Sequence, residues 1–154
     1  MRATAFVAAL VLLIAGVSSA WTSQSVAPAA SGACSLLTKE DAATALGETV
    51  EGPRKTEVPG GPSSCEYSGS GLHKVHLNVI PLTAATATIY KGMCAQKDKQ
   101  GLTGLGDVTC WYNDKHAELQ VLKGLTFFSI EFSGKGDPTE AIKGVARKVY
   151  DRLK

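Results

Sequence analysis

Apolar positions change their spacing several times along the chain, and each spacing predicts a different element. The first run is continuous. From Ala3 to Val17 no charge interrupts Phe6, Val7, Leu10, Val11, Leu12, Leu13 and Ile14, and Arg2 stands in front. Ser18, Ser19 and Ala20 follow, small residues suited to cleavage before Trp21. A charged start, an apolar centre and a small-residue site define a secretory signal peptide, so residues 1–20 are expected to be removed. The alternative is an uncleaved membrane anchor, because the uncharged run approaches the roughly 20 residues that cross a bilayer. No Lys/Arg stop-transfer cluster follows it. Trp21 to Ala33 is rich in Ser and Ala, lacks any period, and reads as a flexible linker, residues 21–33.

Beyond Ala33 the periodicity is that of a folded unit, residues 34–154. Thr38 can cap a helix that carries Glu40 and Asp41 in its first turn and ends at Gly47. Thr38-Lys-Glu-Asp41 is a variant capping box. Glu48 to Ser64 holds Gly52, Pro53, Pro59, Gly60, Gly61 and Pro62, so loop is expected there, with room for one short strand near Val50 or Lys55–Val58. Ser64–Ser68 is a short strand. Leu72–Ile80 alternates, with Val75, Leu77 and Val79 on one side and Lys74, His76 and Asn78 on the other. Thr83 opens a second helix that runs to about Cys94 or Ala95. Three strands follow as a meander, over Asp107–Tyr112, Ala117–Leu122 and Leu125–Ser133. Asp137, Pro138 and Glu140 then start a last helix, whose apolar residues Ile142, Val145, Ala146, Val149 and Leu153 repeat at helical spacing.

The predicted order is therefore α-β-β-α-β-β-β-α. Strands joined as hairpins, with helices packed against them, make an α+β domain: an antiparallel sheet of about five strands with two or three helices.

Composition narrows the function classes. The chain has 154 residues, 44% hydrophobic and 19% charged, and its net charge is +2. One ordinary domain fits, and a two-domain dinucleotide-binding enzyme does not. Sixteen basic residues against fourteen acidic ones leave no basic stripe, so nucleic acid is not an expected partner. All four cysteines lie beyond the signal, and an even count in an exported chain implies disulfides. Cys34–Cys65 and Cys94–Cys110 are the expected pairs, because each closes a short loop between neighbouring elements. In the chain-entropy picture each is worth about 3 kcal/mol. The cysteines are too far apart for a four-cysteine zinc site.

Candidate chemistry is sparse. His73 and His76 are three apart on a predicted strand, which sends them to opposite faces, and His116 lies near a hairpin tip. No metal site or cofactor is expected, although Glu66 and Glu118 are the plausible carboxylate neighbours of a histidine. No G-x-S-x-G elbow is present, no thiol is left free, and Ser63, Ser64 and Ser129 have no distinctive context. No catalytic residue is therefore assigned. Gly101, Gly104 and Gly106 superficially resemble a phosphate loop, but a strand follows them where a helix is needed; close packing between helix and sheet is the expected role. The best binding hint is aromatic. Tyr67, Trp111 and Tyr112 lie in or near strands, and Trp111 and Tyr112 must point to opposite faces. One of the two is expected in the core and the other on an open face beside Lys74 and His76.

Several segments carry a resemblance: Cys34-Ser-Leu-Leu-Thr-Lys-Glu-Asp-Ala, Ala45-Leu-Gly47, Ser63-Ser-Cys65-Glu-Tyr67, Gly104-Leu-Gly-Asp107, Trp111, and Leu119-Gln-Val-Leu-Lys-Gly124. In this order they resemble a broad group of exported bacterial domains of unknown function, common among lipoproteins of actinobacteria and other soil bacteria. The resemblance covers about Cys34 to Leu153 and implies a small α+β domain with no catalytic residues. Such relatives often carry a lipid on a mature N-terminal cysteine. Here Trp21 takes that place, which favours a freely secreted or periplasmic form.

Taken together, the sequence leads to an exported, noncatalytic, monomeric domain that binds a ligand or protein of the cell envelope. It would have no membrane span once the signal is removed. Its competitors are a small hydrolase using Glu118, Glu131 and a histidine on the open sheet face, and a subunit of an envelope assembly.

Overall fold

The computed structural model describes residues 32–95, 101–135 and 137–153. The expected signal peptide and most of the expected linker lie outside the described residues. Among the described residues, four helices and six strands follow in the order α1 (Ala33–Leu36), α2 (Lys39–Leu46), β1 (Glu51–Glu57), β2 (Ser63–Ser68), β3 (Lys74–Pro81), α3 (Ala84–Ala95), β4 (Val108–Trp111), β5 (Glu118–Lys123), β6 (Thr126–Ser133) and α4 (Pro138–Arg152). The strands form one antiparallel sheet ordered β1-β2-β3-β6-β5-β4. The class is α+β, with one strand and one helical turn more than the periodicity suggests.

The extra strand is β1. Its residues are exposed on both sides, so it carries no apolar alternation to read. Pro53 has no N–H to donate, which an edge strand tolerates, and the register with β2 shifts between Glu51 and Arg54. The extra helical turn is α1. Ala33, expected to be linker, is fully buried and donates its N–H to Ser63 Oγ at 3.1 Å. The folded unit therefore begins before Cys34.

Local rules account for the longer helices. Thr38 and Asp41 exchange side-chain and backbone bonds at 3.2 Å in a capping box, and Gly47 ends α2 with the positive φ that costs glycine least. Asp137 caps α4 through the Thr139 N–H at 2.9 Å, with Pro138 in the first turn. Ile142, Val145, Ala146, Val149 and Leu153 all face inward, as their helical spacing requires.

The main core lies on one sheet face, between the strands and α1, α2 and α4. Val75, Leu77 and Val79 of β3 pair with Phe132, Ile130 and Phe128 of β6, and Leu119 and Val121 of β5 extend the layer. An ion cluster fastens α2 to α4 above it. Asp41 is 5% exposed, lies 3.0 Å from Lys148 Nζ and pairs with Arg152, whose Nη1 also donates to the Leu36 carbonyl at 2.7 Å. Burial pushes the Asp41 carboxyl up, but the bonds from Arg152, Lys148 and Thr38 overcome it and hold the group far below the usual carboxylate range.

The two disulfides serve different layers. Cys34–Cys65 ties α1 to β2 inside the main core, and Cys94–Cys110 ties α3 to β4 across the other sheet face. The Gly101–Gly106 segment packs on strands rather than between helix and sheet. A side chain on Gly101 would meet the Thr109 backbone at 2.5 Å, and one on Gly106 would meet the Leu122 carbonyl.

Candidate functional site

The sheet face turned away from the main core changes character in successive rows that cross the strands. The apolar row comes first: Ile80 of β3, Phe127 of β6, Leu122 of β5 and Val108 of β4 stand side by side. α3 lies over this row through Ala87 and Tyr90, with Leu82 and Leu125 at its margin, and the Tyr90 and Phe127 rings stack at 4.4 Å. Burying this row requires only one helix. The next row is polar and uncharged: Thr56, Ser64, Asn78, Ser129 and Gln120 lead to Cys110 of the α3 disulfide.

The third row carries the charged groups and one imidazole and spans five strands: Arg54, Glu66, His76, Glu131 and Glu118. Beyond Glu118, the Tyr112 N–H bonds the Glu118 carbonyl at 2.9 Å and places an exposed ring at the β4 end. Lys74 sits just outside the row and bridges it, 3.2 Å from Glu131 Oε1 and 3.9 Å from Glu66 Oε2. Arg54 approaches Glu66 at 3.7 Å, and His76 Nδ1 lies 3.8 Å from Glu131 Oε2. Glu118 accepts from Gln120 Nε2 at 3.4 Å. Glu118 and Glu131 are directly opposite each other, a like-charge pairing that costs stability where nothing else compensates. The row thus runs from a cation at β1 to two carboxylates at β5 and β6.

Of the five residues expected to bind, Lys74 and His76 belong to this face, and Tyr112 stands at its end. Tyr67 and Trp111 do not. They point into the helix-covered face and are 4% and 5% exposed, because alternation along β2 and β4 sets them beside the core residues Cys65 and Leu119. Burial raises the Tyr67 hydroxyl pKa, helped by Glu40 and Asp41. Trp111 stacks against His116 at 4.6 Å. Glu66 was foreseeable from the alternation of Ser-Cys-Glu-Tyr-Ser, which puts it opposite Cys65 and Tyr67. Arg54 was not, since it sits among glycine and proline.

The remaining polar cluster has a structural use. His73 lies outside β3 and its Nδ1 is 2.6 Å from Glu48 Oε1; Ser70 donates its hydroxyl to Glu48 Oε2 at 2.7 Å. The bonds from Ser70 and His73 bring the Glu48 pKa down to about 2. The hydroxyl is spent on the carboxylate rather than on the imidazole, so the trio lacks the hydroxyl-to-base bond of an activated nucleophile. It clasps the β2–β3 turn to the loop before β1. Among the described residues no three His, Cys, Asp or Glu side chains gather to hold a metal ion, and no helix is long and apolar enough to cross a membrane.

Two surface grooves lie elsewhere. One, of about 340 Å³, is lined by Gly32, Glu57 and the Val58–Gly61 turn; the other, of about 370 Å³, runs between α2 and α4 beside Asp41 and Lys148. Comparison with known protein families, curated proteins and solved structures returns no match for this chain.

Proposed function

We propose that the protein is an exported, noncatalytic binding domain of the bacterial cell envelope, and that its ligand rests on the charged and polar rows of the sheet. One observation carries this reading. α3 covers the apolar row alone, so Glu66, Lys74, His76, Glu131 and Glu118 are left on a broad, half-buried platform. Charged and imidazole side chains from four strands held in register make a preorganised surface, which lowers the ordering cost of binding. The signal-like N-terminus and two disulfides agree with an oxidising compartment outside the cytoplasm.

A second reading, a hydrolase, draws on Glu131 beside His76 and opposite Glu118. Neither of the two described grooves is lined by those groups. The test is a titration of isotope-labelled protein with solubilised envelope fractions from the host, followed by amide chemical shifts. Shifts are expected at Glu66, Lys74, His76, Glu118 and Glu131, and are expected to vanish in the Lys74→Ala variant. Shifts confined to the α2–α4 groove, or none with any fraction, would reject the platform.

A further inference from the structure

The two edges of the sheet are treated differently by the chain. At the β4 edge, the Gly101 N–H bonds the Thr109 carbonyl at 3.1 Å, and the Thr109 hydroxyl bonds the Leu105 carbonyl, so the 101–107 segment closes that side. At the β1 edge, no described segment pairs with the outer side, and all seven residues are exposed. The Val58 N–H bonds the Pro62 carbonyl at 3.0 Å. Antiparallel alternation then turns the backbones of Thr56 and Arg54 toward β2, and the N–H and C=O groups of Lys55 and Glu57 outward. Pro53 has no N–H, so the stretch able to receive another strand is Arg54–Val58.

That stretch is complementary to itself in one register. A contact around a twofold axis joins the same patch of two copies. With Thr56 opposite its own copy, Lys55 faces Glu57 of the other strand in both directions. These are the residues with outward backbone groups, so both pairs can exchange main-chain hydrogen bonds. An axis at Lys55 or at Glu57 sets like charges against each other, and an axis at Arg54 puts Pro53 where a donor is needed. Within one copy Lys55 Nζ and Glu57 Oε2 lie 3.4 Å apart, with side chains 61% and 46% exposed, so they can exchange partners without uncovering a buried charge. Val58, 52% exposed, comes opposite Arg54 of the other strand, whose aliphatic stem can cover it.

We infer that β1 is a docking edge for a second copy of this chain, paired antiparallel about Thr56. The twofold axis stands perpendicular to the sheet, so the helix-covered faces join on one side and the charged rows on the other. The contact is small, and contacts under about 1,200 Å² are transient, so the dimer depends on concentration.

Sedimentation equilibrium of the purified protein at rising concentration tests this, with Lys55→Glu, Glu57→Lys and the double variant alongside. Wild type is expected to approach twice the monomer mass. Each single variant opposes like charges twice per dimer and is expected to weaken association about tenfold or more. The double variant restores both pairs and is expected to return close to wild type. Matching thermal unfolding curves would show that the exposed substitutions leave the fold alone. A wild type that remains monomeric throughout, single variants that dimerise as wild type does, or a double variant as weak as the singles would each overturn the inference.

Discussion

The two faces of this one sheet are built on different terms. The face under α1, α2 and α4 is apolar through its centre, and its central residues, Leu77, Ile130, Phe128 and Leu119, are fully buried. The other face is apolar only where α3 and the Cys94–Cys110 bridge lie, and turns polar and then charged within two rows. Burial of apolar area is the main favourable term in folding, so stability should be concentrated on the first face. The second face keeps only enough apolar surface to hold one helix. Three helices cover the first face; among the described residues, one helix and one bridge cover the second and leave its charged row half-buried.

Core truncation gives the sharpest contrast. Phe128→Ala removes a fully buried ring from the first face and is expected to cost about 3–5 kcal/mol in chemical denaturation. Phe127→Ala removes its sequence neighbour from the second face, where Tyr90 can settle into the space, and is expected to cost about 1 kcal/mol less. Equal losses would mean that α3 belongs to the same cooperative core, and the distinction between the faces would fall.

Removing the second bridge comes next. Cys94→Ser with Cys110→Ser opens a loop with a sequence separation of 16, for which chain entropy predicts a loss of about 3 kcal/mol. Because α3 packs on few residues, hydrogen exchange should quicken in Ala84–Ala95 well before it does in α4. Uniform quickening would contradict that.

Asp41 is the ionic counterpart on the first face. Asp41→Asn leaves Arg152 and Lys148 facing each other without their anion. Both cations are partly exposed, which sets the expected cost near about 2–3 kcal/mol, below that of a fully buried pair. The pH dependence has a definite sign. The folded carboxyl titrates well below its ordinary value of 3.8, so its contribution is complete above that value and fades as pH falls from there toward the folded pKa. Wild type should lose its advantage over Asp41→Asn in that acid window, and an advantage that persisted there would exclude the ion cluster as its source.

How much of this was legible follows from what periodicity can report. β3 and α4 alternate or repeat because one side of each is buried, and β6 keeps its alternation of Phe128, Ile130 and Phe132 although Phe127 and Ser129 are buried on its other face. Their inward faces could be read directly, while β3 starts later than expected, at Lys74 rather than Leu72. β1 was open only as a short strand near Val50 or over Lys55–Val58, since an edge strand exposed on both sides has no pattern and its Gly and Pro read as loop; the strand forms over Glu51–Glu57. α1 was hidden because a single turn is too short for a period and is held by Cys34–Cys65 and Ser63 from far along the chain. The candidate site divides in the same way. Alternation set Lys74 and His76 on the face opposite Val75 and Leu77. Glu118 and Glu131 could be expected to face each other on adjacent strands, and they do; that Glu66 and His76 continue the same row could not be read, because cross-strand register is a tertiary fact.

The smallest expected effect bears most directly on function. Glu131→Gln removes the anion that Lys74 approaches at 3.2 Å, a partly exposed pair worth about 1 kcal/mol at most. It also relieves the opposition between Glu131 and Glu118 across β5 and β6, a gain of similar size. The two contributions oppose each other, so unfolding free energy should move by less than about 0.5 kcal/mol. A residue central to the sheet yet nearly neutral for stability is what a binding platform implies, since its charges are arranged for something other than folding. A loss above about 2 kcal/mol would show that the charged row is part of the scaffold. The two faces would then differ in chemistry but not in purpose.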